Sequence, residues 1–229
     1  MNNMPFFLHI EKLTKHFDSK TVSISFHLEK GKALALLGAS GCGKTTVLKM
    51  IAGLLTPDTG SVFLNGTDIT KLPASKRGIG MVFQDYALFP HLSVEDNIAY
   101  GLVSHGMNKK AARFEAGKWI ADFNLTGLEK RKPDLLSGGE KQRVALARSL
   151  AVHPSLILFD EPLSALDTEL RLKLRKELKR NQAALGYTAV YVTHDKSEAE
   201  ELADTIIHME DISKNPVGFD SSHSEQRFP

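Results

Sequence analysis

The sequence predicts an α/β fold with a parallel sheet at its core, an N-terminal antiparallel β layer and an inserted α-helical subdomain. Three observations support this prediction. Short, continuous apolar runs alternate with helical patterns, which is typical of parallel strands buried on both faces. Two segments of alternating polarity precede the first such run and favour half-buried antiparallel strands. One long interval, from Val94 to Leu136, has helical periodicity without a convincing strand.

The first predicted elements belong to the antiparallel layer. Leu8 to Phe17 and Thr21 to Leu28 alternate apolar and polar residues, so each is predicted to be a strand. Ser61 to Leu64 is predicted to be the first arm of a hairpin, because Asn65 and Gly66 follow it and this dipeptide favours a tight turn between antiparallel strands. These segments predict a small sheet near the N-terminus.

The core is predicted to be a parallel sheet whose strands are connected by helices. Five short apolar runs are its predicted strands: Ala33 to Leu37, Ile79 to Phe83, Leu156 to Phe159, Thr188 to Thr193 and Thr205 to Met209. Helices are predicted at Lys44 to Leu54, Glu140 to Val152 and Glu169 to Arg180. The last helix is rich in Lys and Arg, but a leucine recurs at every fourth position. This spacing favours an amphipathic helix with a solvated basic face over a surface for membranes or nucleic acids.

The domain prediction follows from these elements. We expect one domain over residues 1–212, with the helical subdomain inserted at about residues 90–138. Residues 213–229 are polar and show no periodicity, so they are predicted to form a C-terminal tail.

Composition restricts the function classes. The 229 residues carry 29 Lys and Arg against 27 Asp and Glu, a net charge of +2, which argues against a polycationic nucleic-acid coat protein. Cys42 is the single cysteine, so no internal disulfide is expected and a reducing compartment fits best. No apolar run approaches the roughly 18 residues needed to cross a bilayer. The N-terminus also lacks the pattern of a secretory signal, so any link to a membrane is expected to come through a partner.

A phosphate-binding motif follows the first predicted parallel strand. Residues 38–45 match G-x-x-x-x-G-K-[ST] between a strand and a helix, which is the context that this motif requires. Its glycines let backbone N–H groups turn towards phosphate oxygens, Lys44 can reach the β- and γ-phosphates, and Thr45 can bind Mg²⁺. The predicted site consists of Gly38, Ala39, Ser40, Gly41, Cys42, Gly43, Lys44, Thr45 and Thr46. The sequence therefore predicts the core of a P-loop NTPase.

Cys42 lies inside this loop and has two interpretations. The favoured one is a small residue that fills space without touching phosphate. The alternative is a thiol made reactive by the nearby helix N-terminus. In that case alkylation would stop hydrolysis, and bound nucleotide would protect against it.

Two carboxylates end a later strand and supply the second half of a nucleotide site. Asp160 and Glu161 follow the apolar run from Leu156 to Phe159, so they are expected at the edge of the sheet where open α/β folds bind ligands. Asp160 would hold Mg²⁺, and Glu161 could orient and deprotonate an attacking water. An acidic pair alone is more commonly a solvated strand end, but the P-loop favours the catalytic interpretation.

A glycine-rich segment at a predicted helix start distinguishes this sequence from other P-loop NTPases. Residues 136–140 read Leu-Ser-Gly-Gly-Glu, in which a hydroxyl and unobstructed N–H groups can face an anion. The sequence here resembles the ATP-binding cassette (ABC) family, and the match runs from about Leu8 to Met209. The strings that agree in order are the P-loop, Gln84, residues 136–140 as the signature, Asp160-Glu161, Ser164-Ala165-Leu166-Asp167 as the D-loop, and His194.

The resemblance implies a pair of cassettes that close head to tail around two ATP molecules, each held by one P-loop and the opposite signature. It also implies the following roles: adenine stacking for Phe17, sensing of Mg²⁺ and water for Gln84, contact with the opposite γ-phosphate for Ser137 and Gly139, nucleotide binding for Gly138 between them, contact with the γ-phosphate for His194, and a place at the dimer seam for Asp167. Taken singly, Phe17 is more commonly a buried strand residue, and His194 a histidine at a polar turn.

Residues 84–98 are similar to bacterial import cassettes for ferric iron, polyamines, sugars and oxyanions. The resemblance thus implies ATP and Mg²⁺ as cofactors, a second cassette that is identical or different, a membrane permease, and a solute-binding protein that acts through the permease. It implies no nucleic-acid partner, and a location at the cytoplasmic face of the inner membrane. Tyr86, Leu88, Phe89 and Pro90 would either line the permease groove or be buried within the cassette. Residues 210–229 do not predict the β-rich regulatory domain common in this group.

Two other functions compete with the transporter subunit. A soluble ABC-type ATPase acting on DNA or ribosomes would need a long coiled coil or a second cassette in the chain, and the sequence predicts neither. A small-molecule kinase would explain Lys44 and Thr45, but it leaves the signature, Gln84 and His194 without a joint explanation.

Overall fold

The computed structural model describes residues 6–164 and 166–209. The strands in chain order are β1 (Leu8–Phe17), β2 (Lys20–Leu28), β3 (Ala33–Leu37), β4 (Thr59–Leu64), β5 (Thr67–Asp68), β6 (Ile79–Val82), β7 (Leu156–Asp160), β8 (Thr188–Thr193) and β9 (Thr205–His208). The helices are α1 (Lys44–Ala52), α2 (Val94–Ser104), α3 (Lys109–Asp122), α4 (Gly138–Ala151), α5 (Thr168–Leu185) and α6 (Lys196–Leu202).

The N-terminal layer is a four-stranded antiparallel sheet in the order β2-β1-β4-β5. The hairpin predicted at Asn65-Gly66 is present, because Leu64 pairs with Thr67 and both turn residues have positive φ. A bulge interrupts β1 between Ile10 and Leu13. The antiparallel layer predicted from alternation is therefore confirmed.

The second sheet has five parallel strands in the order β6-β7-β8-β3-β9. Every residue of β3, β7 and β8 is buried. Side chains along β3 alternate between two cores: Ala33 and Ala35 face the helical side, while Leu34 and Leu36 face α1 and the antiparallel sheet. Full burial of each large apolar side chain contributes about 1.5–3 kcal/mol. The continuous apolar runs are thus explained by burial on both faces, and the α/β prediction is confirmed.

Element ends differ from the predictions where local caps decide them. The helix predicted to reach Leu54 ends at Ala52, because Gly53 adopts a left-handed conformation and donates to the last carbonyls. The basic helix is longer than predicted and runs to Leu185, where Gly186 ends it in the same way. Leu174 and Leu178 of this helix are buried, as its four-residue leucine spacing predicts.

The interval from Val94 to Leu136 contains α2, α3 and one 3-10 turn (Pro133–Leu135), and no strand lies within it. Ser93 and Asn108 cap α2 and α3 with their side chains. A separate subdomain at residues 90–138 stays a prediction, and the predicted tail at 213–229 lies outside the described residues. Within the described residues, no helix combines the length and apolar character that spanning a bilayer demands.

Candidate nucleotide-binding site

The phosphate loop connects β3 to α1 at the carboxyl edge of the parallel sheet. Gly38 N donates to Thr193 O at 3.4 Å, which anchors the loop to β8. Gly43 has φ 111°, and a Cβ built on it would lie 2.6 Å from Val22 Cγ2 of the antiparallel sheet. Only glycine fits this position, because it combines positive φ with a close approach.

Lys44 is buried, with 4% of its surface exposed, and its ammonium lies inside the loop. Its Nζ donates to Gly38 O at 2.7 Å and to Ala39 O at 2.9 Å, and it lies 3.8 Å from Glu161 Oε1. These oxygens satisfy the ammonium without a ligand. Phosphate oxygens entering the loop can take over the same donors.

A hydroxyl and a carboxylate meet at the start of α1. Thr45 Oγ1 donates to Asp160 Oδ1 at 2.7 Å. Burial raises the pKa of Asp160 above its ordinary value, and the Thr45 hydrogen bond opposes this shift. Two hard oxygen donors on adjacent elements fit Mg²⁺, which is bound by few protein ligands together with substrate phosphates. Gln84 is exposed two residues beyond β6, the strand that pairs with β7.

Glu161 and His194 form the other side of the site. Glu161 Oε2 lies 3.2 Å from His194 Nδ1, and half of the His194 side chain is exposed. The backbone of Glu161 has φ 45°, which is a strained conformation for a residue with a side chain. Its N–H donates to Val192 O at 3.0 Å, so β8 positions both members of the pair. The arrangement can accept a proton from a water placed between them and the phosphate loop.

The signature residues lie at the start of α4. Ser137 and Glu140 form a capping box, with Glu140 N donating to Ser137 Oγ at 3.3 Å and Ser137 N donating to Glu140 Oε2 at 2.7 Å. That backbone hydrogen bond lowers the pKa of Glu140. A Cβ on Gly138 would lie 2.9 Å from Leu166 Cδ2, and one on Gly139 would lie 3.1 Å from Leu170 Cδ1. The glycines thus let the helix pack on the D-loop and α5, a role that the sequence analysis missed.

The structure brings only some of the predicted residues together. Lys44, Thr45, Asp160, Glu161 and His194 share one site. Among residues 6–164 and 166–209, no hydrogen bond or ion pair links the signature residues to the phosphate loop. Asp167 is exposed and caps α5 through Leu170 N.

The remaining predicted residues have simple positions. Phe17 is 47% exposed at the last position of β1, so the alternative of a buried strand residue is wrong. It precedes the turn at the hairpin tip, where no second layer covers it. Cys42 is half-buried against the apolar core and directs its sulfur towards Gly38, which supports the space-filling interpretation. Ala39 and Ser40 are exposed, and Thr46 is half-buried.

Comparison with known proteins decides the family. A family model described as ABC transporter matches residues 22–164. The chain belongs to the ABC transporter family. It is 50% identical over 201 residues to the Fe(3+) ions import ATP-binding protein FbpC 1 of Rhizobium meliloti, a match covering 87% of this chain and 57% of that protein. It is 45% identical over 223 residues to the spermidine/putrescine import ATP-binding protein PotA of Acetivibrio thermocellus, a match covering 92% of this chain and 63% of that protein. The chain therefore spans about three fifths of the length of these relatives.

A solved structure is also similar to this cassette. It is a dimeric ATP-binding cassette in a post-hydrolysis state bound to ADP and Pi. The TM-score is 0.76 at 30% identity, and the match covers 88% of this chain and 93% of that one. The P-loop core with its two sheets is thus an ABC cassette fold.

A groove of about 390 Å³ opens on the cassette between β6, α2 and α4. Phe89 and the half-exposed Tyr100 line it with ring centroids 4.3 Å apart, and the Arg148 guanidinium lies 5.4 Å from the Phe89 ring. Arg148 also donates to Tyr86 O at 2.9 Å and Ala87 O at 2.7 Å. Phe89 thus lines this groove, and binding of a permease there stays a prediction.

The other residues predicted for the groove floor lie elsewhere. Tyr86 is buried, and Leu88 packs against the core, so burial within the cassette is the correct alternative for both. Ala87 and Arg148, which the sequence analysis did not select, take their place in the lining. Pro90 is exposed and lies outside the lining, and Tyr86 and Ala87 both have positive φ.

Proposed function

We propose that this chain is the ATP-hydrolysing subunit of an ABC importer, and that it drives solute movement through a separate membrane permease. The convergence of Lys44, Thr45, Asp160, Glu161 and His194 at one edge of the parallel sheet carries the proposal. These groups supply a cation for phosphate, two oxygen ligands, a base and a second polar contact, which are the parts that phosphoryl transfer to water requires.

ATP occupies the phosphate loop in this proposal. The N–H groups of residues 38–46 and the Lys44 ammonium bind the β- and γ-phosphates, while the exposed Phe17 ring stacks on adenine. Thr45, Asp160 and Gln84 would hold Mg²⁺, which neutralises phosphate charge when it is bound. Glu161 accepts a proton from the attacking water, and His194 orients the γ-phosphate.

A second cassette completes each site. Ser137 is exposed at the start of α4, and within the described residues no hydrogen bond or ion pair joins the signature to the phosphate loop of the same chain, so Ser137 and Gly139 contact the γ-phosphate of ATP held by the other cassette. Asp167 then lies at the seam between the two copies. The similar dimeric cassette bound to ADP and Pi supports this assembly.

The permease docks in the groove lined by Phe89, Tyr100 and Arg148. An exposed aromatic surface beside a guanidinium fits a short helix of mixed polarity from a membrane partner. The import proteins FbpC and PotA, named for Fe(3+) ions and for spermidine and putrescine, support import over a soluble ATPase acting on nucleic acid or ribosomes. A solute-binding protein would act through the permease, and the cassette would work at the cytoplasmic face of the membrane.

Glu161→Gln tests the hydrolytic site. Because Gln cannot take a proton from water, we expect hydrolysis to fall by at least about 10²-fold while ATP binding remains. Gel filtration with ATP should show an accumulating dimer. If the wild-type chain releases free phosphate from ATP when no organic acceptor is present, the alternative function of a small-molecule kinase is excluded. If Glu161→Gln stays monomeric with ATP at high protein concentration, the head-to-tail dimer of cassettes is contradicted. If no polytopic membrane protein co-purifies with the wild-type chain, the permease partner is contradicted.

A further inference from the structure

Leu166 belongs to the D-loop and packs against the signature at Gly138. A Cβ built on Gly138 would lie 2.9 Å from Leu166 Cδ2, so a side chain at this position would require Leu166 to shift. Leu166 is itself buried, so a shift of the signature turn must displace it. Its backbone carbonyl accepts a hydrogen bond from Arg171 Nη2 at 2.9 Å.

Arg171 connects this carbonyl to the segment that carries His194. Its Nη1 lies 4.0 Å from Asp195 Oδ2, and Asp195 directly follows His194. Asp195 caps α6 by accepting from Glu198 N at 3.1 Å and from Ser197 Oγ at 2.6 Å. His194 in turn contacts Glu161. Arg171 therefore spans the gap between the D-loop and the catalytic pair.

The neighbouring Arg175 does not duplicate this connection. It lies 3.6 Å from the same Asp195 oxygen, but its other contacts are Ser197 Oγ at 3.1 Å and Glu201 Oε2 at 3.4 Å, both on α6. Among the hydrogen bonds of the described chain, the one from Arg171 joins α5 to Leu166 O. Loss of the Arg171 side chain would thus remove the hydrogen bond to Leu166 O, while Arg175 still joins α5 to α6 and Asp167 still caps α5.

We propose that Arg171 is a positioning residue that couples the signature of this cassette to its own His194–Glu161 pair. The inference rests on the proposed function, in which the signature contacts ATP held by the second cassette. Movement of the signature on that ATP displaces Leu166, and Arg171 transmits the displacement to Asp195 and His194. Each ATP site thereby senses whether the other is filled.

Arg171→Met tests the coupling in steady-state ATP hydrolysis by the purified chain. We expect kcat to fall about tenfold, as for a typical coupling between sites, and the Hill coefficient for ATP to fall from above 1 towards 1. The Kd for ATP without Mg²⁺ should stay within twofold of wild type, since Arg171 does not touch the phosphate loop. Lys173→Met, at an exposed position of the same helix, removes the same charge and should leave all three quantities unchanged.

Asp195→Asn provides a second route if Arg171→Met folds poorly. Asn still caps α6 but weakens the ionic contact with Arg171, so the Hill coefficient should again fall. The double variant Arg171→Met/Asp195→Asn should have nearly the same kcat and Hill coefficient as the single variants, because both substitutions break the same contact.

The outcomes separate the inference from the proposed function. A wild-type chain that hydrolyses no ATP, alone or with its permease, overturns both. Cooperative hydrolysis that persists in Arg171→Met, or in Asp195→Asn if the first variant is unfolded, overturns the coupling alone. Wild-type hydrolysis with a Hill coefficient of 1 has the same consequence, since no coupling would then exist for Arg171 to carry.

Discussion

At the residue scale, the nucleotide site contains charged groups whose partners within the chain can be exchanged for a ligand. Lys44 donates to loop carbonyls that nucleotide would replace, and Asp160 has the Thr45 hydroxyl as its hydrogen-bond partner. Burial disfavours the ionised form of Asp160 and raises its pKa. The ionised Asp160 carboxylate therefore lowers the stability of the folded chain unless a ligand compensates for its burial.

Asp160→Asn should stabilise the protein in the absence of nucleotide and metal. Because the folded-state pKa is raised above the ordinary value of 3.8, the folded chain holds this proton more tightly than the unfolded chain does. The contribution of Asp160 to stability is thus full below pH 3.8 and is lost as the pH rises through the raised pKa. We expect a higher Tm than wild type at neutral pH with chelator present, and a difference that narrows towards acid pH.

Asp122→Asn, at the exposed end of α3, is the matched control and should show no such difference. Magnesium and ATP should stabilise the wild type more than Asp160→Asn, since the variant lacks the carboxylate ligand. A neutral-pH Tm below that of wild type would show that the Asp160 carboxylate is a net stabilising group.

At the element scale, two helices organise the chemistry. α1 begins at the phosphate loop, and its last turn is held by Arg77, which is 5% exposed. α4 is capped by Ser137 and carries Arg148 in the groove, eleven positions and about 16 Å further along the helix. A movement imposed in the groove therefore reaches the signature without passing through a flexible loop.

Arg77→Met should destabilise the fold strongly. The Arg77 guanidinium donates to four carbonyls, those of Met50, Ile51, Thr70 and Leu72, at 2.7–2.9 Å. Removing a buried charged donor from these acceptors costs on the order of 3 kcal/mol. For a domain of this size the Tm should then fall by about 6–12 °C, as calorimetry would measure.

Lys76→Met is the control for the loss of charge, because Lys76 is exposed on the preceding residue. It should change Tm by no more than about 2 °C. Equal Tm values for Arg77→Met and wild type would mean that water satisfies the four carbonyls equally well.

At the scale of the whole molecule, the proposed function gives each chain two halves of different ATP sites. The phosphate loop and the His194–Glu161 pair lie at the carboxyl edge of the parallel sheet, while Ser137 faces solvent at the start of α4. A second cassette placed head to tail would bring the two halves together. In that arrangement, ATP binding and association of the two cassettes occur together. ATP binding and release would therefore move the cassettes relative to each other.

Ser137→Arg should block this assembly without emptying the phosphate loop. A long cationic side chain at this exposed turn would fill the space that the proposed function assigns to the γ-phosphate of the opposite site. We expect ATP hydrolysis to fall by at least about 10²-fold, while ATP binding to the isolated chain changes by less than about twofold. Hydrolysis rates and equilibrium binding of a fluorescent ATP analogue measure the two quantities.

The capping role of Ser137 calls for its own control. Ser137→Ala removes the cap, at a cost of about 1 kcal/mol in stability, but adds no bulk. It should retain much more hydrolysis than Ser137→Arg. Normal hydrolysis in Ser137→Arg would contradict a signature that acts on the opposite site.

The sequence by itself determined the type and order of most elements and the residues of each motif, although α6 was not predicted and the helical interval was not divided into α2 and α3. Hydrophobic periodicity is a local property, so β1, β3 and β8 were predicted with their observed bounds. Caps shifted the ends of α1 and α5, since Gly53 and Gly186 adopt conformations that periodicity does not encode.

Only the tertiary structure decided which residues meet. The order β6-β7-β8-β3-β9 brings Asp160 to Thr45 and Glu161 to His194 across long stretches of chain, and many strand orders satisfy the same apolar pattern. The exposure of Phe17 and the packing of Gly138 on Leu166 likewise depend on neighbours far away in sequence. Local patterns record how each residue faces the core, whereas contacts between elements depend on which faces come together when the chain packs.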